Sequence, residues 1–188
     1  YTSAVVKYPY ADKVYLMFPS AYYHYPEPPK GKHRNDGVLD IRFAVSRDGV
    51  FWKRLDREAF IPLGVKGEWD DSALYMTTGI LRSGNQLFMY YSGYDFTHGA
   101  YNVKRDKFKG AISRVTTRLD GFVSLNSDYV GGRIVTVPII FDGDHLELNV
   151  ETGVAGEVRV EVLDVYGNSI SGYSLADADV IKGNFTMK

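Results

Sequence analysis

The sequence predicts an all-β protein, and three observations carry that expectation: the composition, a doubled segment, and a switch from unbroken to alternating apolar runs near residue 125. Fifteen Tyr and nineteen Gly stand among the 188 residues. Tyr favours the pleated, half-buried surface of strands, while Gly and Asp-Gly pairs punctuate turns, so many short strands are expected. Residues 104–109 and 179–182 are too short or too isolated to carry an apolar stripe at helical spacing, and no helix is predicted.

The doubling is seen by laying Tyr10-Ala-Asp-Lys-Val-Tyr-Leu-Met-Phe-Pro-Ser-Ala-Tyr-Tyr-His24 beside Ser83-Gly-Asn-Gln-Leu-Phe-Met-Tyr-Tyr-Ser-Gly-Tyr-Asp-Phe-Thr-His98. Each opens on a polar turn, runs through apolar and aromatic residues fit for a strand buried on both faces, and ends in an aromatic stretch with a His. A second match follows each: Ala44-Val-Ser-Arg47 with Ala111-Ile-Ser-Arg114, then Asp48-Gly49 before Phe51-Trp52 and Asp120-Gly121 before Phe122. The period of about 70 residues exceeds that of common propeller repeats, and the excess falls in loops. One repeat is expected to fold as a four-stranded antiparallel β-propeller blade. Strands A to D are placed near 3–8, 14–20, 39–45 and 51–55, with 57–63 leading outward, and in the second repeat near 74–81, 87–92, 110–115 and 122–125.

Beyond residue 125 the segments 133–141, 145–151 and 157–164 alternate polar with apolar, separated by Asp142-Gly143, Gly153/Gly156 and Tyr166-Gly167-Asn168. Alternation means one wet face, as in an antiparallel sheet of a sandwich. The expected organisation is two blades, 1–63 and 64–125, followed by an incomplete antiparallel β-sandwich over 126–188. Two blades close no ring and three or four strands close no sandwich, so a fragment is expected, with blades missing upstream and strands beyond Lys188. The alternative is a compact stand-alone sandwich of two sheets.

A net charge of −1, with no basic run denser than Lys104, Arg105, Lys107 and Lys109, gives no electrostatic footprint for nucleic acid or anionic membrane. No apolar stretch approaches the roughly 20 residues that span a bilayer, and no signal-peptide pattern opens the chain. The absence of Cys removes disulfides and thiolate zinc sites from consideration.

The run Leu39-Asp-Ile-Arg-Phe-Ala-Val-Ser-Arg-Asp-Gly-Val-Phe-Trp-Lys-Arg54, with Gly67-Glu-Trp-Asp-Asp71 and Leu87-Phe-Met-Tyr-Tyr-Ser-Gly93, resembles the five-bladed propellers of glycoside hydrolases. The families meant are the invertase and levanase group (family 32), the arabinanase and xylosidase group (family 43), and their uncharacterised bacterial relatives. The segments Leu119-Asp-Gly-Phe-Val-Ser-Leu125, Leu146-Glu-Leu-Asn-Val-Glu-Thr152 and Val158-Arg-Val-Glu-Val-Leu-Asp164 resemble the junction and start of the sandwich appended to such propellers. The resemblance implies that this chain holds the last two blades. The main catalytic carboxylates of such hydrolases lie in the first three blades, so a fragment of this kind is expected to be inactive alone. Ser46-Arg-Asp-Gly-Val-Phe-Trp52 also resembles the Asp-box of sialidases, with Gly49 one residue early. Its expected role is structural, with Asp48 accepting backbone N–H groups, Gly49 permitting positive φ and Trp52 covering the hairpin.

Glycosidases need two carboxylates around the scissile bond. In a four-stranded blade the start of A, the B–C loop and the end of D share one rim. The B–C loops at 21–38 and 94–109 are long and hold Tyr22, Tyr23, His24, Tyr25, Tyr94, Asp95 and His98, which marks that rim as the ligand face. Strand A of the second repeat starts at Glu68-Trp69-Asp70-Asp71, at the same rim. Asp71 is the leading carboxylate, either bonding a sugar hydroxyl or tuning a neighbouring acid, against a plain turn-capping role. Glu68 is the second candidate, against a solvated rim charge. Trp69 either stacks on a sugar or packs between blades. His24 and His98 form paired subsites or a repeated structural contact. A metal held by them with Asp36 or Asp95 has no tight ligand spacing behind it, and neither metal nor cofactor is expected. The stretch from Tyr25 to Gly31 is a candidate rim flap.

The expected function is therefore contact with an oligo- or polysaccharide through Tyr22, His24, Asp71, Tyr75 and His98, as part of a glycoside-hydrolase-like protein. The rival is a non-catalytic carbohydrate-binding or structural propeller–sandwich protein. A sialic-acid enzyme would need an Arg cluster, for which Arg34 and Arg42 are thin support. The expected partners are carbohydrate and the missing blades. Secreted or periplasmic location follows from the resemblance alone.

Overall fold

A computed structural model describes residues 1–27, 35–102 and 109–185. It divides into two compact units, Tyr1–Thr117 and Arg118–Lys188. The described residues are all β, in several sheets of which none is closed, with no α-helix and one 3-10 turn at His98–Asn102.

In the first unit, β1 (Val5–Lys7), β2 (Tyr15–Met17) and β5 (Ala44–Ser46) form an antiparallel meander in that order. An isolated bridge between Val45 and Lys53 adds the start of a fourth strand. A second sheet runs β3 (Ser20–His24), β4 (Gly37–Ile41), β6 (Ala73–Met76), β8 (Gln86–Tyr94) and β7 (Leu81–Ser83), with β9 (Gly110–Arg118) also on β8.

The strands expected at 14–20 and 39–45 are each broken in two, at Phe18-Pro19 and at Arg42-Phe43. Pro19 has no N–H to give a ladder, and its carbonyl accepts the Arg42 N–H at 2.8 Å. Past the break the chain pairs again as β3 and β4, from Ser20 opposite Ile41 to His24 opposite Gly37. Part of the expected loop 21–38 is therefore strand, and its residues 28–34 lie outside the described residues, as do 103–108 of the loop 94–109. β4 meets β6 in parallel, Leu39 opposite Ala73, and the Leu39 N–H donates to Ser72 O at 3.1 Å. The two repeats thus meet in one continuous sheet.

β4 is buried almost throughout, as its unbroken apolar run requires; Leu39 and Ile41 are fully covered. On the other face of the sheet Leu74, Leu87 and Met89 are fully covered as well. At the 46–52 turn, Asp48 Oδ1 accepts the N–H groups of Val50 and Phe51, both at 2.8 Å, and the Ser46 hydroxyl at 2.9 Å. Gly49 takes φ +76°, and Trp52 Nε1 donates to Gly49 O at 3.2 Å. The backbone bonds hold the Asp48 carboxyl below the usual carboxylate range.

The second unit contains β10 (Val150–Glu151) paired antiparallel with β11 (Asn184–Phe185), and bridges join Val158 to Ile181 and Leu163 to Ser169. The Tyr166-Gly167-Asn168 turn is present, its backbone N–H groups at 166 and 168 both donating to Asp164 Oδ1 at 2.9 Å. The strands expected at 122–125 and 133–141 are absent. After β9 the chain turns at Asp120, which takes φ +61°, and residues 123–149 form no ladder. An alternating run becomes a strand only beside a partner, and among the described residues none pairs with 133–141. Its Ile134, Val135, Val137, Ile139, Ile140 and Phe141 stay exposed.

Burial sets the expected response to truncation. Leu74→Ala should destabilise the first unit by about 2–5 kcal/mol, because a fully covered site cannot collapse around the void. Ile134→Ala should change stability by less than about 0.5 kcal/mol. Urea denaturation of both variants checks the contrast.

Candidate functional site

Period-2 alternation along β3 puts Tyr22 and His24 on one face and Tyr23 on the other. Strand register carries the first face across the sheet: Tyr22 stands opposite Leu39, Leu39 beside Ala73, and Ala73 opposite Tyr94. Tyr75, two residues along β6 from Ala73, shares that face. His98 arrives on the 3-10 turn that follows β8.

These side chains form one aromatic shelf. His98 lies 4.4 Å from Tyr1 and 5.0 Å from Tyr22 between ring centroids, and Tyr22 lies 4.0 Å from His24. Tyr75 is 6.0 Å from Tyr94, which in turn lies 5.1 Å from Phe96. The Tyr75 hydroxyl and His98 Nδ1 are 2.9 Å apart. The Tyr22 hydroxyl donates to Asn35 O at 2.6 Å.

Burial, with the neighbouring phenols of Tyr1, Tyr94 and Tyr22, pushes the Tyr75 hydroxyl up to about 12. Tyr22 and Tyr25 are also raised, mainly by burial and then by the Asp36 carboxylate. The shelf is therefore edged with protonated phenols at ordinary pH. When His98 carries its proton on Nε2, Tyr75 gives its own to Nδ1, and an N–H donor is left at the other ring nitrogen.

Asp71 is placed differently. Its Oδ2 accepts the Gly67 N–H at 2.7 Å and its Oδ1 the Ser72 hydroxyl at 2.6 Å, so both oxygens serve the turn leading into β6. Its charge is felt at Tyr25, whose phenol it helps to raise. Glu68 is exposed. Asp70 accepts the Tyr91 hydroxyl at 3.0 Å, and Trp69 stacks on Tyr91 at 5.9 Å against Gly93. Trp69 is thus a packing residue.

Beneath the shelf lies a residue that the sequence marked only as a possible metal ligand. Asp36 is fully covered; its Oδ1 accepts the N–H groups of Gly37 at 2.7 Å and Gly99 at 2.8 Å, and its Oδ2 the Thr97 hydroxyl at 2.9 Å. Asp95 Oδ1 accepts the Lys109 N–H at 2.8 Å. Among the described residues no group of three or more His, Cys, Asp or Glu is placed to hold a metal ion. Arg42 is engaged by Asp40 through two contacts, Nε to Oδ1 at 2.8 Å and Nη2 to Oδ2 at 2.7 Å, and Arg34 lies outside the described residues. Most of the candidate flap after Tyr25 lies outside them too.

No local pattern marks Tyr1 as part of the shelf, since only the fold brings it to His98. Depressions of about 550 and 560 Å³, at Lys7–Asp12 and around Asn126–Gly132, include no shelf residue. Among the described residues no helix is long and apolar enough to cross a membrane. Compared with protein-family models, curated proteins and solved structures, the chain finds no match.

A raised phenol makes stability depend on pH in a fixed direction. Unfolded Tyr75 loses its proton near 10, whereas the folded group holds it to about 12. The folded state therefore binds the extra proton, and stability falls as pH rises between 10 and 12. Tyr75→Phe should flatten that fall, as read from urea midpoints between pH 9 and 12.

Proposed function

We propose that this chain binds oligo- or polysaccharide through the shelf of Tyr22, His24, Tyr75 and His98, as the substrate-contacting rim of a glycoside-hydrolase-like protein. The observation that carries the reading is the gathering of these four side chains, from two repeats, on one sheet face. Apolar ring faces cover the C–H faces of sugars, and phenol and imidazole edges supply the polar contacts that orient hydroxyl groups. A chain of net charge −1 suits a neutral polymer as ligand.

The blade assignment belongs to the same proposal. It is supported by the meander β1-β2-β5, extended by the Lys53 bridge, and by its counterpart β6-β8-β9 in the second repeat. The last two blades of a five-bladed ring, followed by a partial antiparallel sandwich, is the architecture that the resemblance implies. Export to the periplasm or cell exterior is part of that reading.

A second reading has its own support. Asp71 spends both oxygens on a turn, and its neighbour Asp70 accepts the Tyr91 hydroxyl, so neither is free to act on a glycosidic bond. This favours a binding role for these residues, with hydrolysis either supplied by carboxylates elsewhere in a parent protein or absent from it.

Calorimetry of the 188-residue chain against oligosaccharides from levan, arabinan and xylan tests the proposal. Binding of at least one class without hydrolysis is expected, and Tyr22→Ala or His98→Ala should weaken it about tenfold or more. Asp71→Asn should leave the affinity within about twofold of wild type, since its partners are in the turn. No binding to any of the three by the folded chain would refute the proposal.

A further inference from the structure

Holding His98 over Tyr22 and Tyr75 is a positioning problem, because His98 reaches the shelf from a turn outside the sheet. The residues on either side of it, Thr97 and Gly99, are both fixed by one carboxylate. Asp36 takes the Thr97 hydroxyl on Oδ2 and the Gly99 N–H on Oδ1, across more than sixty positions of sequence. Thr97 is itself buried, and its carbonyl accepts the Ala100 N–H at 3.0 Å, which tightens the turn.

The approach is close enough to exclude a side chain at residue 99: a Cβ there would stand 2.8 Å from Asp36 Cβ and 2.9 Å from Oδ1. The same short segment also holds Tyr22 and the backbone at Tyr25. Asn35 O accepts the Tyr22 hydroxyl at 2.6 Å, and Asp36 O accepts the Tyr25 N–H at 2.9 Å. Asp36 is also tied to β4, because its Oδ1 accepts the N–H of Gly37, the first residue of that strand.

We propose that Asp36 is the positioning residue of the shelf, seating the 97–99 turn on β4 so that the His98 ring is held among Tyr1, Tyr22 and Tyr75. It touches no ligand itself. Its importance for binding rests on the carbohydrate reading above, whereas its hold on His98 can be read without any ligand.

The test is proton NMR of the His98 ring in the ligand-free 188-residue chain. Ring currents from Tyr1 and Tyr22 should displace its Cε1 and Cδ2 protons from their free-histidine positions. In Asp36→Ala most of that displacement should be lost while the methyl signals of Leu74, Leu87 and Met89 stay in place. Retention of the displacement in a folded Asp36→Ala chain would overturn the proposal. If Asp36→Ala does not fold, Thr97→Val decides: it keeps the shape of the turn and removes one of the two bonds to it, so a partial loss supports the seat and none refutes it. Failure of wild-type protein to bind any oligosaccharide would leave these signals unchanged, so the two readings fail separately.

Discussion

The shelf exists because β4 accepts β6 as a parallel neighbour. Tyr22 belongs to the first repeat and Tyr75 to the second, and nothing local brings them together. One point of register, Leu39 beside Ala73, sets which residues of the two repeats face the same way. The join is reinforced away from the backbone ladder, where the buried Ser20 hydroxyl donates to Leu74 O at 2.8 Å. A one-residue slip there would carry Tyr75 to the opposite face and dissolve the cluster. Both faces of the sheet are covered at the join, with Leu39 and Ile41 on the side of Tyr22 and Leu74 on the other, so a slip would also lift Leu74 out of its buried place.

Polar groups are used sparingly but in linked fashion around this join. Short-range carboxylates, Asp48 and Asp71, each close a turn within a few residues of themselves. Asp36 works over a longer reach, toward the 97–99 turn, while Asp40 holds the guanidinium of Arg42 two residues along, whose fork also meets Tyr23 and the Arg57 carbonyl. A covered carboxylate with several donors is costly to disturb, because each donor stripped of its partner stays buried.

Much of this was legible in the sequence where the physics is local. The Ser46–Trp52 turn follows from Asp, Gly and Trp spacing alone, and the matched aromatic stretches place Tyr22, His24 and His98 as candidates for one surface. What could not be seen is non-local. Pro19 was visible, but that it would divide one strand between two sheets depends on what lies beside it. The parallel join, Tyr1 above His98, and the reach of Asp36 across the chain are products of topology, which has no periodicity to betray it. In the second unit the expected alternation at 133–141 is broken by the adjacent apolar residues Ile134-Val135 and Ile139-Ile140-Phe141, and no strand forms there, since a run becomes a strand only when a neighbour supplies hydrogen bonds.

That exposed run has a consequence for how the molecule behaves in concentrated solution. Ile134 to Phe141 contains branched and aromatic residues and no charge, the composition that favours intermolecular sheet growth. Pro138 sits at its centre and has no N–H to offer a second chain. On either side of it only a short apolar stretch remains, Ile134–Val137 and Ile139–Phe141, the spacing by which a gatekeeper proline opposes the stacking of such segments between chains.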